Sequence, residues 1–220
     1  MRKGRTRPRR NRLAYRRATI FMEQYPEIPG AKRAPLGEKC IAFYKYDGSN
    51  LRWEWSRKRG WHKSGTRTEL FAPDAPLWGQ ATPLFSEIAD DIVKRVHKGG
   101  FRDIQRITAF AEFFGPSSFA GVHDEKEQKE LKLIDVYLFK KGMVSPRWFV
   151  DAFGDAPYAA QVIYEGNLNM EFIRDVRAGK YPVWEGVVAK GEDFRVKIKT
   201  EAYMLKLKEV YGLNWERFAE

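Results

Sequence analysis

The order of apolar and polar positions divides the chain into alternating and helical stretches. From Cys40 to Ser56, Leu51, Trp53 and Trp55 alternate with Arg52, Glu54 and Ser56, and the turn pair Asp47-Gly48 lies within the stretch. A period of two around an Asp-Gly pair predicts two strands joined as a half-buried hairpin. Residues 84–98 place Leu84, Ile88, Ile92, Val93 and Val96 at helical spacing and end in Gly99-Gly100, which predicts an amphipathic helix. Strands rich in β-branched and aromatic residues follow at Arg106–Phe114 and Leu131–Phe139. Ser145-Pro146 has the cap-then-proline form of a helix start, and a second short helix is expected from Asn169 to Ala178, stopped by Gly179. Trp184–Lys190 and Phe194–Lys199 predict a second hairpin through Gly191-Glu192-Asp193, with a final helix beginning near Thr200. Strands interspersed with helices, without regular βαβ alternation, predict an α+β fold with largely antiparallel sheets and flanking helices.

Composition adds bounds to that pattern. At 220 residues with 43% hydrophobic and 15% aromatic content, one catalytic domain is expected over 18–220, behind a basic arm at 1–17. No apolar run approaches bilayer length and no signal-peptide core follows the basic start, so a soluble protein without a membrane partner is expected, cytoplasmic or a viral protein in a host cytoplasm. Cys40 is the only cysteine, which excludes an intramolecular disulfide and a cysteine-based zinc site. The net charge of +11 attracts a polyanion through counterion release, and nucleic acid is the commonest one. Arg2, Lys3, Arg5, Arg7, Arg9, Arg10, Arg12, Arg16 and Arg17 all precede the first acid, Glu23. Such a block reads equally as a disordered, solvated arm and as a phosphate-backbone contact, and the two are compatible. A transit peptide is a third reading, opposed by the lack of serine there.

Candidate chemistry centres on Lys45-Tyr46-Asp47-Gly48-Ser49-Asn50, a lysine at a strand end beside a glycine turn. A nucleophilic lysine must lose its proton near neutral pH, through desolvation or nearby positive charge. Taken alone, such a lysine is an ordinary solvated side chain. In Arg195-Val196-Lys197-Ile198-Lys199, the strand period puts Arg195, Lys197 and Lys199 on one face, where the last two are spaced to bracket a phosphate and depress the Lys45 pKa. An amphipathic edge strand explains the same pattern. Glu185 leads into the apolar strand Gly186-Val187-Val188-Ala189-Lys190, as a metal ligand or nucleotide contact or simply as a solvated flank. Glu112, an acid inside an apolar strand, calls for a partner, either a ribose hydroxyl or an arginine.

Lys-x-Asp-Gly at Lys45, an apolar strand closing on Glu112, Glu-Gly-Val-Val at Glu185 and Lys-x-Lys at Lys197 resemble, in this order, the motif set of covalent nucleotidyltransferases: ATP-dependent DNA ligases, RNA ligases and mRNA capping enzymes. The resemblance implies an ATP-grasp-like ligase adenylation domain. It makes Lys45 the nucleophile that takes AMP from ATP, with Mg2+ or Mn2+ as metal, and Glu112 a ribose contact. Glu185 assists metal or nucleotide binding, Lys190, Lys197 and Lys199 hold the α-phosphate, and Asp47 and Gly48 shape the pocket floor. Arg67 matches an arginine that follows the nucleophile in RNA ligase 2-like enzymes, with Arg57 as competitor. Where the family stacks adenine on an aromatic residue before an aspartate, Ile134 stands before Asp135, leaving Phe113, Trp184 or Tyr44 to supply an aromatic face. Neither end of the chain has room for an OB-fold domain, and Ser49-Asn50 replaces an arginine after the glycine. A minimal, monomeric ligase of nicked or broken RNA is therefore expected. The alternatives are a minimal DNA ligase, an inactive nucleic-acid-binding protein of the same fold that stacks bases on its aromatics, and a capping enzyme, disfavoured without the extra domain.

Overall fold

The computed structural model describes residues 22–116 and 126–216; the basic arm expected at 1–17 lies outside them. Ten strands are present among the described residues: β1 (Lys39–Lys45), β2 (Ser49–Ser56), β3 (Gly60–Thr66), β4 (Leu70–Phe71), β5 (Arg106–Phe114), β6 (Glu130–Leu138), β7 (Gly142–Met143), β8 (Val162–Asn167), β9 (Gly186–Lys190) and β10 (Arg195–Lys199). Four helices accompany them: α1 (Ala81–Lys98), α2 (Pro146–Phe153), α3 (Met170–Arg177) and α4 (Glu201–Tyr211). The strands form a six-stranded sheet in the order β4-β3-β2-β5-β6-β7 and a four-stranded sheet in the order β10-β9-β1-β8. Every pairing between named strands is antiparallel, so the fold is α+β with antiparallel sheets and helices packed on them. No helix among the described residues is long and apolar enough to cross a membrane.

Three helices start where a side chain can satisfy a free backbone N–H. The Ser145 hydroxyl accepts from Trp148 N at 3.2 Å, the Asn169 amide oxygen from Phe172 N at 2.8 Å, and the Thr200 hydroxyl from Tyr203 N at 3.1 Å. The hairpin expected at 184–199 is present as β9 and β10, joined through residues 191–194.

The hairpin expected at 40–56 is not formed. β1 pairs with β8 and β9, β2 pairs with β3 and β5, and Tyr46-Asp47-Gly48 carries the chain from one sheet to the other. A Cβ at Gly48 would collide with the Phe113 carbonyl, so close packing of this crossover on β5 requires glycine. β2 is also not half-buried. Its apolar positions Leu51 and Trp53 face α1, while Arg52 and Glu54, on the other face, are each only 3% exposed. Burial of those charges is tolerated because they are partnered. Arg52 donates to the carbonyls of Met22 and Glu23 at 2.7 and 2.6 Å, and Glu54 pairs with Lys63 at 2.7 Å.

Two apolar cores result. One lies between the six-stranded sheet, α1 and α2, and takes in Ile41 and Phe43 from β1. The other lies under the opposite face of the four-stranded sheet, where Ala42, Val187, Ala189, Val196 and Ile198 pack against Phe172, Ile173 and Val176 of α3. Alternation along β1 thus sends odd positions toward the six-stranded sheet and even positions toward α3, and Lys45 is odd.

Candidate active site

Antiparallel register builds the lysine face. Lys45 is opposite Gly186, and Gly186 is opposite Lys199, so the three form one row across β1, β9 and β10. Phe43, Val188 and Lys197 make the next row, and Ile41, Lys190 and Arg195 the third. Directly opposed residues point to the same side of a sheet. With no side chain, Gly186 leaves an opening between the two lysines. Its φ of +146°, and the Ile198 carbonyl that a Cβ would strike, disfavour any other residue there.

The six-stranded sheet supplies the opposing wall. Asn50 and Glu112 are directly paired across β2 and β5 and share one face. In β6 the register shifts: Phe110 is opposite Asp135 while Ala111 is opposite Leu133, which makes Ile134 the extra residue of a bulge. Bulges commonly re-aim side chains next to functional sites, and here Ile134 is half-buried and lines the cavity. The space between the two walls has a volume of about 540 Å³, within the range of small-molecule sites.

Ion pairs organise the polar end of this cavity. Lys45 Nζ lies 2.7 Å from Glu185 Oε1, and Lys199 Nζ lies 3.3 Å from the same oxygen. Burial alone would push the Lys45 ammonium down, but Glu185, Glu112 and Asp47 outweigh it and hold the pKa above the ordinary lysine value. The expectation that Lys197 and Lys199 depress the Lys45 pKa is therefore reversed, because the Glu185 carboxylate at hydrogen-bond distance, with Glu112 and Asp47, outweighs them. Burial and Lys45 push Lys197 below its usual value, and burial does the same to Lys199. Burial raises the Glu112 carboxyl to about 7 against the pull of Lys45.

Glu185 Oε2 and Ser49 Oγ, from two residues that line the cavity, are buried and have no hydrogen-bond partner among the described residues. A buried carboxylate oxygen left open in this way suits a hard divalent cation held mainly by water and phosphate oxygens. No cluster of three or more acidic, histidine or cysteine side chains is present among the described residues, so a cage made wholly of protein ligands is not the fit. Glu185 alone would hold such a cation.

Of the residues singled out by sequence, Tyr44, Lys45, Asp47, Gly48, Arg67, Glu112, Ile134, Glu185, Lys190, Lys197 and Lys199 all line this one cavity. Their engagement differs from expectation in places. Lys190, 3% exposed, donates to Asp135 Oδ2 at 3.1 Å and to the Ile134 carbonyl at 2.6 Å, so its ammonium is committed to β6 instead of standing open for a phosphate. Arg57 lies at the far end of β2, paired with Asp103, which leaves Arg67 as the arginine at the cavity. Phe113 is fully buried in the core under α1, and Trp184 is outside the cavity lining, so neither presents a ring to it. Tyr44 does line it, stacked on Tyr46 at 4.6 Å with its hydroxyl accepting from Trp184 N at 3.2 Å.

Tyr25, Asp135 and Tyr203 are among the residues at the site to which the sequence assigns no role. Tyr25 lines the cavity and donates to Asp135 at 3.3 Å. Asp135 is 2% exposed and also receives Lys190 and Arg195, both at 3.1 Å, which ties β6 to β9 and β10. Tyr203 of α4 donates to Asp47 Oδ1 at 2.9 Å and fixes the crossover that follows Lys45. Asp135 had a readable signal, an acid between Ile134 and Val136 in an apolar strand. The two tyrosines had none, because their partners lie more than a hundred residues away.

No protein-family model matches the chain, and no curated protein matches it. Among solved structures, the chain is similar in fold to an RNA ligase of Naegleria gruberi. The form with pyrophosphate gives a TM-score of 0.60 at 19% identity, covering 86% of this chain and 58% of that one. A lysine-to-alanine variant with ATP and manganese gives 0.59 at 17% identity, covering 82% and 57%. A glutamate-to-alanine variant with AMP and manganese gives 0.59 at 16% identity, covering 84% and 58%. The chain thus spans less than two thirds of that ligase's length. At this identity the likeness is one of fold: two antiparallel sheets with flanking helices, matching an RNA ligase adenylation domain.

Proposed function

We propose that this chain is an ATP-dependent RNA ligase that works through a covalent lysyl-AMP on Lys45. The observation that carries the reading is the convergence of Lys45, Glu112, Glu185, Lys197 and Lys199, from three strands and one loop, on a single cavity of nucleotide size. A binding module has no need for that set together.

In the proposed reaction, Lys45 Nζ attacks the α-phosphorus of ATP. A phosphorus–nitrogen bond forms, the bond to the bridging α–β oxygen breaks, and pyrophosphate leaves with the electron pair. Glu185 Oε1, 2.7 Å from Nζ, is placed to take the proton that Lys45 must give up. Lys197 and Lys199 offset charge on the transferring phosphoryl group, which is the main form of catalysis open to a protein in such chemistry. Glu112, protonated for part of the time near pH 7, meets the ribose hydroxyls, and Ile134 with Phe43 and Val188 offers an apolar bed for the base. Magnesium, when bound, supplies positive charge across the phosphate oxygens. A 5′-phosphate then takes AMP from Lys45, and a 3′-hydroxyl displaces AMP to seal the strand. RNA is favoured over DNA by Ser49-Asn50 after Gly48 and by the fold likeness to an RNA ligase.

Intact mass spectrometry after incubation with ATP and magnesium tests this directly. The expected result is one AMP adduct, absent in Lys45→Ala. An adduct retained in Lys45→Ala would refute the nucleophile, no adduct in the parent would refute the activity, and an adduct from GTP but not ATP would point to capping chemistry. Nicked RNA, nicked DNA and hybrid duplexes compared side by side assign the substrate.

A further inference from the structure

A second depression, of about 890 Å³, opens beside the cavity and shares Lys197 and Lys199 with it. Lys32, Arg33 and Arg177 complete its cationic side chains. None of the three makes an ion pair among the described residues. Glu27, Glu201 and Glu216 also reach this groove, so the cations are in excess, five to three.

Its place in the sheet gives it meaning. Running across the four-stranded sheet from Lys45 on β1, the strand order is β9, then β10 with Lys197 and Lys199, then the free edge. That edge is covered by Pro29 and Gly30: Lys197 N donates to the Pro29 carbonyl at 2.9 Å, and Gly30 bridges to Lys197. The 3-10 turn Ala31–Arg33 follows at once and sets Lys32 and Arg33 beyond the edge. Arg177 reaches the same place from the end of α3, beneath the sheet. The groove therefore lies on the side of Lys197 and Lys199 that faces away from Lys45. In phosphoryl transfer the nucleophile and the leaving group lie roughly in line through the phosphorus. A phosphate attacked by Lys45 and held by Lys197 and Lys199 must send its leaving group toward this groove.

Resting on the function proposed above, we infer that Lys32, Arg33 and Arg177 form a phosphate subsite that holds the β- and γ-phosphates of ATP while Lys45 is adenylylated. The same in-line requirement places the entering 5′-phosphate of the polynucleotide there in the second step, since it attacks the lysyl-AMP from the side opposite Lys45. Arginine and lysine side chains around an open depression suit a flexible, multiply charged phosphate group, through charge-assisted hydrogen bonds.

The test uses the full chain and the triple variant Lys32→Ala/Arg33→Ala/Arg177→Ala, with its melting temperature compared to the parent. The three side chains are exposed, so the parent's melting temperature is expected to be retained. Expected results are a fall of about tenfold or more in kcat/KM for ATP in adduct formation, the scale of one charge-assisted hydrogen bond, and weaker binding of inorganic pyrophosphate by calorimetry. AMP affinity changes less than about twofold, because AMP does not extend past Lys197 and Lys199. Unchanged kcat/KM and unchanged pyrophosphate binding would overturn the subsite. Single-turnover transfer from preformed lysyl-AMP to a 5′-phosphorylated oligonucleotide separates the two sources. Slowing there shows that the 5′-phosphate uses the groove, and a normal rate there with a slowed ATP step restricts it to the polyphosphate of ATP. Failure of the parent to form any adduct counts against the ligase reading, whereas the pyrophosphate titration judges the groove without it.

Discussion

Glu112 is the site acid whose environment has the clearest consequence in solution. Burial between the sheets raises its carboxyl from 4.5 to about 7, even with Lys45 nearby. Below about pH 4.5 the group is protonated in both the folded protein and the unfolded chain, and it contributes nothing to the pH dependence. Between 4.5 and 7 the unfolded chain gives up its proton more readily, so stability falls as pH rises. Glu112→Gln keeps the shape and removes the titration. Thermal melts across that window should show the parent losing stability with rising pH and the variant losing less, with the difference fully developed above pH 7. Parallel curves for the two proteins would show that Glu112 is not the group responsible. The same substitution should also slow adenylylation if, as proposed above, this acid on the cavity wall meets the ribose hydroxyls.

At the scale of elements, the two sheets are joined by Asp135, whose carboxylate on β6 receives Lys190 of β9, Arg195 of β10 and Tyr25. Removing one member of a buried pair leaves an uncompensated charge, at a cost of roughly 3–5 kcal/mol. Asp135→Ala strands two cations and should reach that range in denaturant unfolding. Lys190→Met, which keeps volume and leaves Arg195 on Asp135, should cost much less. Equal losses would mean that the network is not what joins the sheets. Tyr203→Phe should lower the rate of adduct formation several-fold with little change in melting temperature, since it releases Asp47 and the crossover after Lys45 from the hydroxyl while retaining the ring; an unchanged rate would show the contact to be incidental. Elements defined by their own residues were legible in sequence. β5 matches the run from Arg106 to Phe114, and Ser145, Asn169 and Thr200 cap helices where expected. β1 and β2 were misread because Asp47-Gly48 between alternating residues has the local form of a hairpin turn, while the true partners of β1 lie at 162–167 and 186–190. The site residues were legible as a motif order. Their electrostatics were not, because the Glu185 contact that raises the Lys45 pKa joins residues 140 positions apart.

Over the whole molecule, charge is divided by task. Lys45 and Lys199 are held against Glu185 and Lys190 against Asp135, so most of the lysine charge of the cavity is paired. The excess that remains is concentrated elsewhere: nine of the basic residues behind the net charge of +11 precede residue 18 and have no acid among them. On the function proposed above, long-range attraction and backbone holding would fall to the arm, and AMP transfer to the cavity between the sheets. These two functions can be separated by deleting residues 1–17. Binding of a single-stranded oligonucleotide should weaken, and the dependence of log K on log salt should flatten by about 0.7 for each phosphate that the arm no longer neutralises. Lysyl-AMP formation from ATP should be unchanged, because the side chains assigned to ATP lie in the cavity and the groove beside it. A truncated chain with the parent's affinity and salt slope would assign polymer binding to residues 18–220. One that loses adduct formation would show that the arm serves the chemistry as well.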